Sequence, residues 1–144
     1  MELDDITGDI LDASVQIHRG IGPGLLESVY EALLSHELRR RGLRVERQCL
    51  IRFSVDGVDI EDAFRADLLV EERVIVEVKS QERFAPVHAR QLLTYLRLMN
   101  LRVGLLLNFG SETMKEGTKR VVNAYTPPAT SPLRVNHVHR SDAN

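Results

Sequence analysis

Asp67, Glu77 and Lys79 are the residues whose types and spacing suit a reaction. Val74–Lys79 and Phe64–Val70 read as strands, and strand side chains alternate between two faces. Ile75, Glu77 and Lys79 then share one face, opposite Val74, Val76 and Val78. In the preceding strand Arg65, Asp67 and Leu69 share a face, opposite Ala66, Leu68 and Val70. Glu71-Glu72 is a tight connection, so the strands are antiparallel neighbours and the two carboxylates and the lysine converge. Carboxylates held so close repel and invite a divalent cation; Mg²⁺ takes oxygen ligands and keeps several waters. Such an ion acidifies a water and neutralises charge on a phosphoryl group, while the lysine orients the attacking water. That is the chemistry of phosphodiester hydrolysis. A Glu-x-Lys on the exposed face of a strand is by itself common surface decoration; Asp67 across the hairpin gives it weight.

The elements that must position these residues follow from periodicity. Residues 4–18 read as a helix, with Ile6, Ile10, Ala13 and Ile17 at helical spacing. Gly20 to Gly24 breaks it, and a second helix runs from about Leu25 to Arg41, with Gly42 at its C′ position. Val45–Val55 is a strand candidate, Asp56-Gly57 a hairpin signal, and Val58–Ile60 the start of the return. Pro86 suits the first turn of a third helix running to about Asn100, with Val87, Gln91, Tyr95 and Leu98 along one stripe. Val103–Asn108 is an apolar, central strand and Thr118–Ala124 a last one. From Thr126 the chain becomes Pro-rich without a core pattern and reads as a disordered tail, leaving a domain over residues 1–125. His137 and His139 alternate in that tail, but two imidazoles without further ligands make no metal site.

Composition narrows the classes. The 144 residues fit one domain, 43% hydrophobic and 28% charged. No apolar run is long enough to span a bilayer and no signal-peptide pattern opens the chain, so no membrane partner is expected. Cys49 is alone, which excludes an internal disulfide and a multi-cysteine zinc site and points to a reducing, cytoplasmic setting. The net charge of −2 is not that of a typical nucleic-acid binder. Arg39, Arg40, Arg41, Arg44, Arg47 and Arg52 nonetheless crowd one stretch, as a solvated helix end and strand or as an edge that contacts phosphate. Arg65, on the face of Asp67, either clamps a phosphate or balances the carboxylates. His88 at a helix start is either a phosphate contact or a surface histidine, and His18 is a weaker candidate across the Gly20–Gly24 loop. Gly22-Pro23-Gly24 lacks the rest of a phosphate-loop pattern and reads as a turn.

Arg65-Ala66-Asp67 with Glu77-Val78-Lys79 resembles the Asp…Glu-x-Lys signature of the PD-(D/E)xK nuclease superfamily. Gly24-Leu25-Leu26-Glu27-Ser28-Val29-Tyr30 is similar to the Gly-x-x-Glu-x-x-Tyr (GxxExxY) motif of a family of small prokaryotic proteins within it. The similarity continues through His88–Leu96 and Val103–Gly110 and covers roughly residues 4–124. It implies an α/β (α+β) fold: a restriction-endonuclease-like mixed β-sheet flanked by α-helices. It implies Mg²⁺ (or Mn²⁺) held by Asp67, Glu77 and the Val78 carbonyl, with Lys79 as the catalytic lysine. Glu27 then corresponds to a helix-borne acid near the metal, or else simply favours its helix N-terminus. Gln91 and Tyr95 resemble the Gln-x-x-x-Tyr motif of RecB-like exonucleases, which positions DNA and the lysine; the duller reading is a half-buried stripe. The expected activity is a metal-dependent deoxyribonuclease acting on nucleic acid, DNA before RNA, with a homodimer compatible with the fold. The alternative is a non-catalytic module, binding nucleic acid or protein, that retains the nuclease fold.

Overall fold

A computed structural model describes residues 1–124 and, as backbone, 135–141; the side chains of Asp62 and Ala63 lie outside that description. The elements run α1 (Leu3–Ile21), α2 (Glu27–Arg40), β1 (Val45–Val55), β2 (Val58–Val70), β3 (Val74–Lys79), α3 (Pro86–Met99), β4 (Val103–Asn108), α4 (Met114–Gly117), β5 (Thr118–Val122) and β6 (Val135–Ser141). The six strands form one sheet in the order β5-β4-β3-β2-β1-β6. β3 and β4 are parallel, joined by α3 as crossover, and the other pairs are antiparallel. This is the mixed sheet flanked by helices that the sequence implied.

Alternation along β3 and β4 builds two cores. Val74, Val76 and Val78, with Leu105 and Leu107, meet Ile6, Ile10 and Ala13 of α1 and Tyr30, Leu34 and Leu38 of α2. Ile75 and Leu106 on the opposite face meet Leu92 and Leu96 of α3. β3 and β4 are thus covered on both sides and almost wholly buried. Gly104 lets α3 approach, since a Cβ there would lie 2.9 Å from a Leu92 methyl.

Tight turns set the registers. Asp56 and Gly57 both take positive φ, 49° and 79°, closing the β1–β2 hairpin. Glu71 and Glu72 do the same at 52° and 56° without a glycine, so β3 returns directly along β2.

Three elements depart from the sequence reading. Val58–Ile60 and Phe64–Val70 belong to one strand, because β1 offers a partner from Val55↔Val58 to Val45↔Val70, with an irregularity between Ile51 and Phe53. α4 is a single turn capped by the Thr113 side chain, which accepts from the Glu116 N–H; it is too short for periodicity to reveal. In place of a tail without regular structure, residues 135–141 form β6, which uses the outer edge of β1. The imidazoles of His137 and His139 lie outside the described residues.

Candidate active site

The site begins where β2 and β3 part. Their ladder runs from Val70↔Val74 to Leu68↔Val76. At the next position the Asp67 carboxylate stands in for a backbone partner: the Val78 N–H donates to its Oδ2 at 2.8 Å. Asp67 is thereby fixed beside Glu77. Glu77 is only 8% exposed, and its Oε1 has no hydrogen-bond partner among the described residues. Burial pushes the Glu77 carboxyl well above the ordinary carboxylate range; the charge of Asp67 and a hydrogen bond with it act the same way, and Lys79 pulls against them. The three residues of the sequence motif therefore do meet, with Lys79 half-buried at the end of β3.

The α2 side closes over the residue after Lys79. Glu27, first in α2, accepts from the Ser80 N–H at 3.2 Å, and the Ser80 hydroxyl donates to the Leu25 carbonyl at 2.6 Å. Tyr30 is fully buried, stacks on Phe109 and anchors the preceding loop: its hydroxyl donates to Gly22 O at 2.6 Å and accepts from the Leu25 N–H. Across the strand ends, the Asn108 amide donates to Gln81 O and accepts from Gln81 N–H, both at 2.9 Å. Gly110 completes this clamp, because a Cβ there would overlap the Gln81 carbonyl. His18 is held elsewhere, its Nε2 2.8 Å from the Ser111 carbonyl.

α3 covers the other flank. His88 is half-buried with Nδ1 unpartnered among the described residues. Burial lowers its pKa, the charge of Lys79 adds to that and Glu27 opposes it, so the ring stands within electrostatic reach of both. Tyr95 stacks on Phe64 with ring centroids 3.8 Å apart. Burial raises the pKa of its hydroxyl, and the charges of Glu77 and then Asp67 act the same way. Gln91 is exposed on the same helix and makes no hydrogen bond among the described residues; Arg65 is likewise exposed, opposite Leu50 of β1. Of the α3 pair, Tyr95 is half-buried and feels the charge of the carboxylates, and Gln91 is exposed one turn before it.

Two residues escaped the sequence reading. Glu31 lies on the same helix face as Glu27 but is buried, accepting from Gln48 Nε2 at 2.6 Å and from Arg47 at 3.5 Å. Gln48 also donates to Asp67 Oδ1 at 3.4 Å. The i, i+4 spacing of Glu27 and Glu31 was the available signal; nothing local marked Gln48. The arginine-rich stretch turns out to be spent on the protein itself. Arg40 and Arg41 pair with Glu37, Arg44 with Glu71, Arg47 with Glu31 and Arg52 with Glu61, while Arg39 bonds the Val45 carbonyl. Beside the site runs a groove of about 660 Å³, lined by the exposed apolar Leu25, Leu26 and Val29 and by Ser80, Gln81 and Gly110.

Among the described residues no group of three or more His, Cys, Asp or Glu gathers to hold a metal. A cation would rest on the Asp67–Glu77 pair, a main-chain carbonyl and water. The all-oxygen donors and the orphaned, buried Glu77 Oε1 fit a hard divalent ion. No helix among the described residues is long and apolar enough to cross a membrane. A family model described as the PD-(D/E)XK nuclease superfamily matches residues 4–121. Neither a curated protein nor a solved structure matches the chain.

Proposed function

The chain belongs to the PD-(D/E)XK nuclease superfamily, and from that membership we propose that it is a metal-dependent deoxyribonuclease whose site is Asp67, Glu77 and Lys79. The observation that carries the reading is the buried Glu77 carboxylate, one oxygen unpartnered, set against Asp67 with Lys79 on the same strand. Asp67, Glu77 and the Val78 carbonyl would hold Mg²⁺ or Mn²⁺; when bound, the ion acidifies water and neutralises phosphoryl charge. Lys79 orients the attacking water. Glu27 holds the Ser80 backbone and so fixes the end of β3 that carries Lys79. His88 and Arg65 are the groups we assign to phosphate; Tyr95, with Gln91 on the same helix, to positioning of the strand. The narrower placement, a GxxExxY-type, RecB-like prokaryotic protein, is supported by the Gly24–Tyr30 and His88–Tyr95 motifs. The lone buried thiol of Cys49 suits a cytoplasmic setting. Residues 1–125 are the span we assign to the body of the nuclease domain, to whose sheet β6 adds an edge strand.

The test is cleavage of linear, circular and single-stranded DNA, and of RNA, with Mg²⁺, Mn²⁺ or chelator. Asp67→Ala and Lys79→Ala should each reduce DNA cleavage at least ~10²-fold. Cleavage surviving equally in both variants would identify a contaminant and sink this site. A second reading is favoured by the exposed Leu25, Leu26 and Val29 and by arginines already paired internally: a binding module that keeps the fold without cutting. DNA or protein capture without cleavage in any metal supports it. The same apolar residues suit a homodimer, which light scattering detects.

A further inference from the structure

We propose that Glu31 and Gln48 are positioning residues that set the orientation of the Asp67 carboxylate for the cation; this rests on the nuclease reading above. Asp67 has its Oδ2 fixed by the Val78 N–H. Its Oδ1 is the oxygen that Gln48 reaches, at 3.4 Å, while the same Gln48 amide nitrogen donates to Glu31 at 2.6 Å. An amide group offers two N–H donors, so one nitrogen spans both carboxylates. Glu31 is 5% exposed, and its second oxygen faces Arg47 at 3.5 Å. A buried carboxylate with both oxygens engaged is a fixed anchor rather than a spare ligand.

The backbone of Gln48 supports this role. Its φ is +51°, in the left-handed region, although it lies within β1 and is not a glycine. A strand interior without a turn gives no reason for that conformation, and such strain persists where the surroundings over-determine it. Here the surroundings are the two carboxylates, one on α2 and one on β2, that the side chain bridges. Groups behind a ligand commonly change metal affinity or activity 10–100-fold when removed.

The strain makes the test selective. Gln48→Gly removes the amide but relieves the left-handed residue. A purely structural Gln48 predicts that melting temperature and metal affinity fall together. Positioning predicts a split: Tm without metal at or above that of the native chain, and Mn²⁺ affinity, measured by calorimetry, weakened ~10-fold or more. Glu31→Gln, which keeps the shape but loses the charged acceptor, should weaken Mn²⁺ in the same direction and less strongly. Asp67→Ala is the control that abolishes uptake. Native-like Mn²⁺ affinity in Gln48→Gly, with Asp67→Ala inactive in binding, overturns the positioning role and leaves the nuclease reading standing. A native chain that takes up no Mn²⁺ overturns both.

Discussion

Glu37 and Glu77 are carboxylates of one chain in opposite circumstances. Glu37 lies in the last turn of α2 and is held by Arg40 and Arg41, with Nη2 of Arg40 at 2.8 Å and Nε of Arg41 at 3.1 Å. Those hydrogen bonds and charges hold its carboxyl down to about 2. Glu77 sits inside the sheet beside another carboxylate, with one oxygen unpartnered, and is pushed the other way. The chain has arginines to spare for surface carboxylates and places none against Glu77 among its described ion pairs. Folding satisfies the first carboxylate and leaves the second to something else. A buried charge left in that state destabilises a fold, which is the ordinary compromise of a working site.

The comparison can be broken most forcefully at Glu77. Glu77→Gln should raise the stability of the metal-free protein by about 1–2 kcal/mol, or ~3–8 °C in Tm, while abolishing DNA cleavage. Calorimetric melting with chelator checks it, and a loss of stability would show that Glu77 has a structural partner. A smaller effect is the opposite pH response of the two residues. Glu77, raised in the fold, favours the metal-free fold at acid pH and loses that contribution as pH rises through its elevated pKa. Glu37, depressed, contributes above the ordinary carboxylate value of 4.5, and its contribution disappears as pH falls toward about 2. Melting curves across pH should therefore lose, in Glu77→Gln, the decline that sets in above the ordinary carboxylate value of 4.5, and, in Glu37→Gln, part of the acid decline. The smallest effect is Glu37→Gln at neutral pH, which should lower Tm by roughly 2 °C or less, and less again at high salt.

Much of this was legible because periodicity is local. Alternation in Val74–Lys79 and Phe64–Val70 makes the β2–β3 pairing that sets Asp67 beside Glu77 readable, and Asp56-Gly57 marks its hairpin. What was hidden depends on pairings distant in the chain. Glu31 looks like any helical glutamate until β1 brings Gln48 to it. The arginines look available until Glu37, Glu61 and Glu71 take them. β6 was hidden because Val135–Ser141 is short and polar and is a strand only by virtue of the partner it joins.

That last strand bears on how the molecule behaves in company. β1 is an eleven-residue strand, and β6 occupies its outer side from Leu50↔Ser141 to Val55↔Val135. A chain cut before residue 135 would present that length of N–H and C=O groups to its neighbours, a template on which copies add strand by strand. The C-terminal segment therefore serves as a guard on the sheet, and shortened versions would announce its loss as precipitate long before any change in chemistry could be read.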